Sequence, residues 1–131
     1  MEKWKKVWMR QVLLFGEEMQ DKLRKARILV VGVGGLGCFV SILLARLGVG
    51  RLVLWDRGTV DPPDLHSQIL YGPSDLGRIF YPIPVYPVTV SIVATIQVNE
   101  TMQMIAGSLP VLAGKMLLVD LRDYEFELVD L

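Results

Sequence analysis

Six residues constrain this chain more than any others: Gly32-Val33-Gly34-Gly35-Leu36-Gly37. They follow the apolar run Ile28-Leu29-Val30-Val31, and Asp56 closes a second apolar run, Leu52-Val53-Leu54-Trp55. A parallel strand buried on both faces reads as such a continuous run. Gly32 permits a tight turn out of the strand, Gly34 lets backbone approach a phosphate, and Gly37 lets the following helix pack close to the strand. Gly35 belongs to the same turn. The free N–H groups that open the helix then favour an anion. A carboxylate at the end of the second strand can accept hydrogen bonds from ribose hydroxyls. Strand, turn, helix and acid in this order predict a Rossmann-like α/β nucleotide-binding unit. The competing reading is a glycine turn that only packs a helix on a sheet.

Bulk properties narrow the field. A length of 131 residues suits one domain. Fourteen basic and fourteen acidic residues cancel, which argues against a general nucleic-acid or anionic-membrane surface. The hydrophobic share is 52% and the mean hydropathy +0.41. A small domain exposes much of its surface, so this excess predicts a buried partner interface. The single cysteine, Cys38, excludes an internal disulfide and a cysteine-cluster zinc site, and a cytoplasmic location is the default expectation. Met1 to Lys6 is not followed by a signal-peptide core, and prolines and polar residues interrupt Ile79 to Asn99, so neither leader nor membrane span is expected.

Along the chain, Trp4, Val7, Trp8, Val12 and Leu13 recur at helical spacing over 4–14. Phe15-Gly16 breaks the segment, and 17–26 reads as a second short helix with Leu23 and Ala26 inward. Strand one is 27–31. The next helix runs from about Leu36 to Leu47, ends at Gly48 and is apolar all round, so it should be buried on more than one side. Strand two is 51–56. Residues 57–75 form a loop long enough to be functional. The prolines at 82, 84 and 87 predict extended backbone over 79–90. Residues 88–99 alternate with period two and lean to a strand, although 92–106 also fits a long helix ending near Gly107. Lys115–Leu121 and Tyr124–Val129 read as a hairpin turning at Arg122-Asp123.

Several segments resemble the ThiF/MoeB/HesA enzymes, bacterial relatives of ubiquitin-activating enzymes. Arg10-Gln11, Phe15-Gly16, Gln20-Asp21-Lys22-Leu23 and Ala26 through Gly37 look like the opening of that family. Leu47-Gly48-Val49-Gly50, Asp56, Leu65 through Tyr71 and Asp75-Leu76-Gly77-Arg78 continue it. Ser91 through Gln97 and Ala113 through Asp120 look like its last helix and closing strand. The resemblance implies a Rossmann-like three-layer fold with a truncated parallel sheet and a C-terminal β-hairpin, and it makes 91–106 a helix. It implies one domain over 1–131: N-terminal helices over 1–26, a Rossmann half over 27–78, and last helix plus hairpin over 79–131.

Family members adenylate the C-terminal carboxylate of a ubiquitin-like or sulfur-carrier protein with ATP and magnesium. By resemblance, Gly32, Gly34, Gly35 and Gly37 are the phosphate turn and Asp56 the ribose acid. Arg10 matches an arginine that reaches across the family's dimer, and Gln68 matches a glutamine beside an arginine in Asn-Leu-x-Arg-Gln. This chain departs from the pattern at four positions. Ser67 stands at that arginine, Asp64 at the asparagine, Gly58 at the second acid of Asp-x-Asp, and Phe80 at a phosphate-binding lysine. The segment that carries the magnesium aspartate and the catalytic cysteine is missing between Arg78 and the last helix.

Cationic groups and metal stabilise charge developing at the α-phosphate, so these departures predict a degenerate or partner-dependent domain. Arg57, Arg78 or Arg51 could compensate. The missing middle leaves strand one an open apolar edge, which predicts a homodimer or strand-exchanged oligomer. Weaker signals read as structure first. Cys38 is a packed helix residue rather than a reactive thiol. His66 is a loop contact rather than a base. Asp61 and Asp64 flank a solvated Pro62-Pro63 turn rather than a metal, and Glu125, Glu127 and Asp130 form the wet face of the last strand. Alternatives to the degenerate nucleotide-binding domain are an adenylyltransferase completed by a second chain, an NAD-binding oxidoreductase module and a structural assembly protein.

Overall fold

The structure, a computed structural model, describes residues 6–76, 87–108 and 112–131. Helix α1 (Met9–Lys25) leads into strand β1 (Arg27–Val31), helix α2 (Gly35–Leu47) and strand β2 (Arg51–Trp55). Short 3-10 turns at Pro62–Asp64 and Pro73–Asp75 shape the following loop. Helix α3 (Pro87–Ala106) and strands β3 (Lys115–Asp120) and β4 (Glu125–Asp130) complete the order. Strands β1 and β2 pair in parallel, from Arg27 opposite Arg51 to Val31 opposite Trp55. Strands β3 and β4 form a separate antiparallel hairpin, from Lys115 opposite Asp130 to Asp120 opposite Glu125. The fold class is thus α/β, with a short parallel sheet and a C-terminal hairpin.

The core lies between the inner face of the parallel sheet and the helices. Val30, Leu44 and Val98 are its buried centre, with Ile28, Val40, Leu43, Leu47, Val49 and Leu52 packed around it. Helix α2 sits between the strands and α3, and only Leu36, Ala45 and Arg46 along it are exposed. It therefore meets the expectation of a helix buried on more than one side. Its C-terminus is a Schellman motif: Val49 N–H bonds to Leu44 O and Gly48 N–H to Ala45 O, with Gly48 left-handed at φ 89°. Side chains of and just before α1 close the remaining carbonyls. Trp8 Nε1 donates to Arg46 O at 2.8 Å, and Gln11 and Gln20 both donate to Leu47 O, at 2.9 and 3.1 Å.

The break expected at Phe15-Gly16 is present: Gly16 is non-helical (φ 83°, ψ 163°), and α1 is two helical segments joined there. Four expectations are corrected. Residues 87–90 are helical, not extended, because proline is favoured at a helix's first position. The strand reading of 88–99 also gives way to α3, whose Ala94 and Val98, one helical turn apart, are both buried. The apolar strands are not covered on both faces among the described residues. Leu29, Val31, Val53 and Trp55 point one way and are 60%, 65%, 45% and 56% exposed. Finally, Asp130 shares its face of β4 with Phe126 and Leu128, not with Glu125 and Glu127, and pairs with Lys115 at 3.8 Å. Trp4, Arg78, Phe80 and the prolines at 82 and 84 lie outside the described residues.

Candidate nucleotide site

The site is built at the carboxyl end of the parallel pair. Gly32 leaves β1 with φ 85° while its N–H still bonds to Trp55 O at 2.8 Å, so the turn starts flush with the end of β2. Gly34 is the N-cap of α2, and no side chain caps that end. The first-turn N–H groups have no intrahelical partner by geometry. They are thus left to a ligand, with the positive end of the helix dipole behind them. Gly37 packs the helix onto the turn: a Cβ there would stand 1.8 Å from Gly32 O.

Asp56 is joined to this turn directly. Its Oδ2 accepts from Val33 N–H at 2.5 Å and its Oδ1 from Gly58 N–H at 2.7 Å. The Gly58 and Val33 amides hold its carboxyl below the usual carboxylate range. The loop after β2 folds back over the glycines. A Cβ on Gly34 would meet Gln68 Nε2 at 3.8 Å, and one on Gly35 would meet Val90 at 3.5 Å and Ser67 Oγ at 3.8 Å. Asp64 organises that loop. Its carbonyl accepts from Ser67 and Gln68 N–H at 3.0 and 2.8 Å, and its Oδ2 accepts from Asp61 N–H at 3.0 Å. Pro62 and Pro63 are exposed, as expected of a solvated turn, while Asp61 beside them is only 4% exposed. Ser67 is likewise buried.

Six of the seven residues selected from sequence therefore converge: Gly32, Gly34, Gly35, Gly37, Asp56 and Gln68. Arg10 does not join them. It stands on α1 beside Trp8 and Gln11, which grip the far end of α2. A helix of 13 residues separates that end from the turn by about 18 Å. Arg57 follows Asp56, while Arg51 lies at the opposite end of β2. His66 Nδ1 lies 2.5 Å from Pro63 O, within its own turn. Cys38 is fully buried, with Sγ 2.9 Å from Val33 O, and burial pushes its thiol up, which fits a packing role. Sequence reasoning assigns no role to Tyr71, whose hydroxyl is pushed up by burial first, then by the charges of Cys38, Asp56 and Asp75. No sequence spacing announces such a residue, because its surroundings depend on how the loop folds.

The open N–H groups and the Asp56 carboxylate fit the phosphate and ribose of a nucleotide. Among the described residues, no group of three or more His, Cys, Asp or Glu side chains could hold a metal. No helix among them is long and apolar enough to cross a membrane.

Comparison with known proteins agrees with this geometry. The model of the ThiF family matches residues 8–79. The adenylyltransferase and sulfurtransferase uba4 of Emericella nidulans is 45% identical over 50% of this chain and 14% of its own length. Its namesake MOCS3 of Xenopus laevis is 49% identical over 52% of this chain and 16% of its own. The chain thus spans about one seventh of the curated relatives it matches. Among solved structures, PaaA superposes with a TM-score of 0.87 at 15% identity, covering 99% of this chain and 74% of that one. Escherichia coli MccB, determined with ATP, gives 0.84 at 12% identity, covering 95% of this chain and 71% of that one. At such identities these two show the fold alone.

Proposed function

Since the chain belongs to the ThiF family, we propose that its glycine turn binds an adenine nucleotide, as a reduced relative of enzymes that adenylate ubiquitin-like or sulfur-carrier proteins. The observation that carries this reading is the uncapped start of α2 with Asp56 tied to the same turn. The proposed ligand contacts are backbone N–H groups of Gly34, Gly35 and Gly37 for phosphate, Asp56 for ribose, and Gln68 beside the turn. ATP is the nucleotide the family uses. Magnesium would need carboxylates, and Asp56 already spends one lone pair of each oxygen on Val33 and Gly58 N–H.

By itself this chain is a binding domain, with adenylation degenerate or dependent on a partner. Ser67 is buried and bonds weakly to Asp64 O at 3.4 Å, so it presents no cation where charge would develop. A second reading, an adenylyltransferase completed by a second chain, is favoured by the position of Arg10. Arg10 stands on α1 between Trp8 and Gln11, which bond to the far end of α2, so on this reading it would serve another copy's site. The partner class on either reading is a ubiquitin-like or sulfur-carrier protein presenting a C-terminal carboxylate. ATP–pyrophosphate exchange with candidate carrier proteins separates the two. No exchange above background is expected from this chain, whereas clear exchange that disappears in Arg10→Ala would establish the second reading.

A further inference from the structure

A second surface suited to binding lies away from the glycine turn. Helices α1 and α3 enclose a cleft of about 590 Å³ over Leu43 and Leu47, near the end of α2. Helix α3 lines it with two parallel stripes. Val98 and Met102 give an apolar stripe, and Asn99 and Gln103, likewise four residues apart, give a stripe of carboxamides beside it. Among the described residues these two carboxamides have no hydrogen-bond partner. Thr95, one turn earlier, differs, because its hydroxyl donates to Ser91 O at 2.8 Å. The charged residues lining the cleft are Glu18 and Lys22, which pair at 3.2 Å, and Lys22 also donates to Ala106 O at 3.3 Å. The cleft is therefore mostly apolar, uncharged on balance, and edged by unpaired amides.

Each carboxamide offers an acceptor and two donors. Side chains four apart on a helix stand about 6 Å apart. An extended chain repeats every second residue after about 6.7 Å, with those residues turning N–H and C=O to the same edge. Asn99 and Gln103 can thus bond to alternate residues of one extended segment. Its side chains would then point in turn to the apolar floor and to water. A docked helix would pair its own backbone and leave both carboxamides to water. From Thr95 to Ala106 α3 rises roughly 16 Å, the length of about five extended residues. Independently of the nucleotide site, we infer that this cleft takes an extended, uncharged segment of a partner polypeptide with apolar side chains at alternate positions.

Amide NMR of the isotope-labelled full chain tests this, with the peptide acetyl-Thr-Leu-Thr-Leu-Thr-amide titrated into the millimolar range. The side-chain amide signals of Asn99 and Gln103 should shift most. Asn99→Ala and Gln103→Ala remove no described contact, and each should weaken binding about fivefold, the loss of one net hydrogen bond. Two methylated peptides, one on the leucine nitrogens and one on the threonine nitrogens, separate backbone bonding from apolar burial. The one whose methyl groups face α3 should bind at least severalfold more weakly than the parent. No binding, equal binding of all three peptides, or unchanged binding in both alanine variants, shown folded by circular dichroism, overturns the inference. Shifts of these two side chains on raising the protein concentration without peptide would overturn it too, because a second copy would then occupy the cleft.

Discussion

Asp56 connects the chemistry of the site to the stability of the turn. Its two oxygens accept backbone N–H groups from Val33 and Gly58, and those bonds hold its carboxyl down. A depressed folded pKa gives stability that is present above the unfolded value and lost as pH falls through the folded one. The chain should therefore weaken as pH drops from about 4 toward the lowered folded value. Because Asp56 is exposed, solvent screening keeps the effect near 1 kcal/mol or less. Urea unfolding of the wild type and Asp56→Asn at pH 3, 4 and 6, nominal values about the ordinary carboxylate range, checks it. The variant should show the flatter acid dependence, and parallel curves would refute the assignment. Gly37 tests the turn without charge. A methyl group there would sit 1.8 Å from Gly32 O, and backbone on both sides cannot yield cheaply. Gly37→Ala should cost on the order of 3 kcal/mol in urea midpoints, and a loss under about 0.5 kcal/mol would mean that the helix can lift off the turn.

Elements differ in how openly the sequence announces them. Strand β1, helix α2 and strand β2 were readable because apolar runs, the glycine turn and Gly48 punctuate them. Helix α3 was not, since β-branched residues alternate along 88–98 and their burial against α2 decides the outcome. The open sheet face was equally hidden: Leu29 and Val31 read as core because pattern reports apolarity, not what covers it. Within the site, glycines, Asp56 and Gln68 were legible from motif, while Tyr71 and the buried Asp61 depend on how the loop folds. The join between α1 and α2 is of this hidden kind too. Gln20 is 7% exposed, accepts from Gln11 at 2.7 Å and donates to Leu47 O, so two groups each lose one bond if it is removed and keep the one between them. Gln20→Ala should cost about 1 kcal/mol for the lost hydrogen bonds. Thermal unfolding measures this. Gln20→Glu keeps the acceptor but loses the donor, so it should fall between wild type and alanine unless its charge costs more.

For the whole molecule, the balance of apolar surface is the unresolved term. Leu29, Val31, Val53 and Trp55 form one exposed sheet face, and among the described residues β1 pairs only with β2. Val7, Leu13 and Leu14 add exposed apolar surface near the start of α1 and are 64%, 80% and 75% exposed. Monomers rarely leave contiguous apolar patches of more than a few hundred Å² in water, and an unpaired strand edge is a template for another chain. We expect the chain to be at least dimeric at micromolar concentration, with the β1 side of the sheet buried between copies. Light scattering with size-exclusion chromatography reads this directly. Val31→Lys puts a charge on the exposed sheet face at the β1 edge, where no described contact is lost. It should drive the chain toward monomer while leaving helical circular dichroism unchanged. Leu14→Lys distinguishes the two apolar regions: if it dissociates the oligomer and Val31→Lys does not, the copies meet through α1 and the sheet face is covered by something else. A wild-type chain that stays monomeric over this range would remove self-association altogether and leave the open face to a different protein.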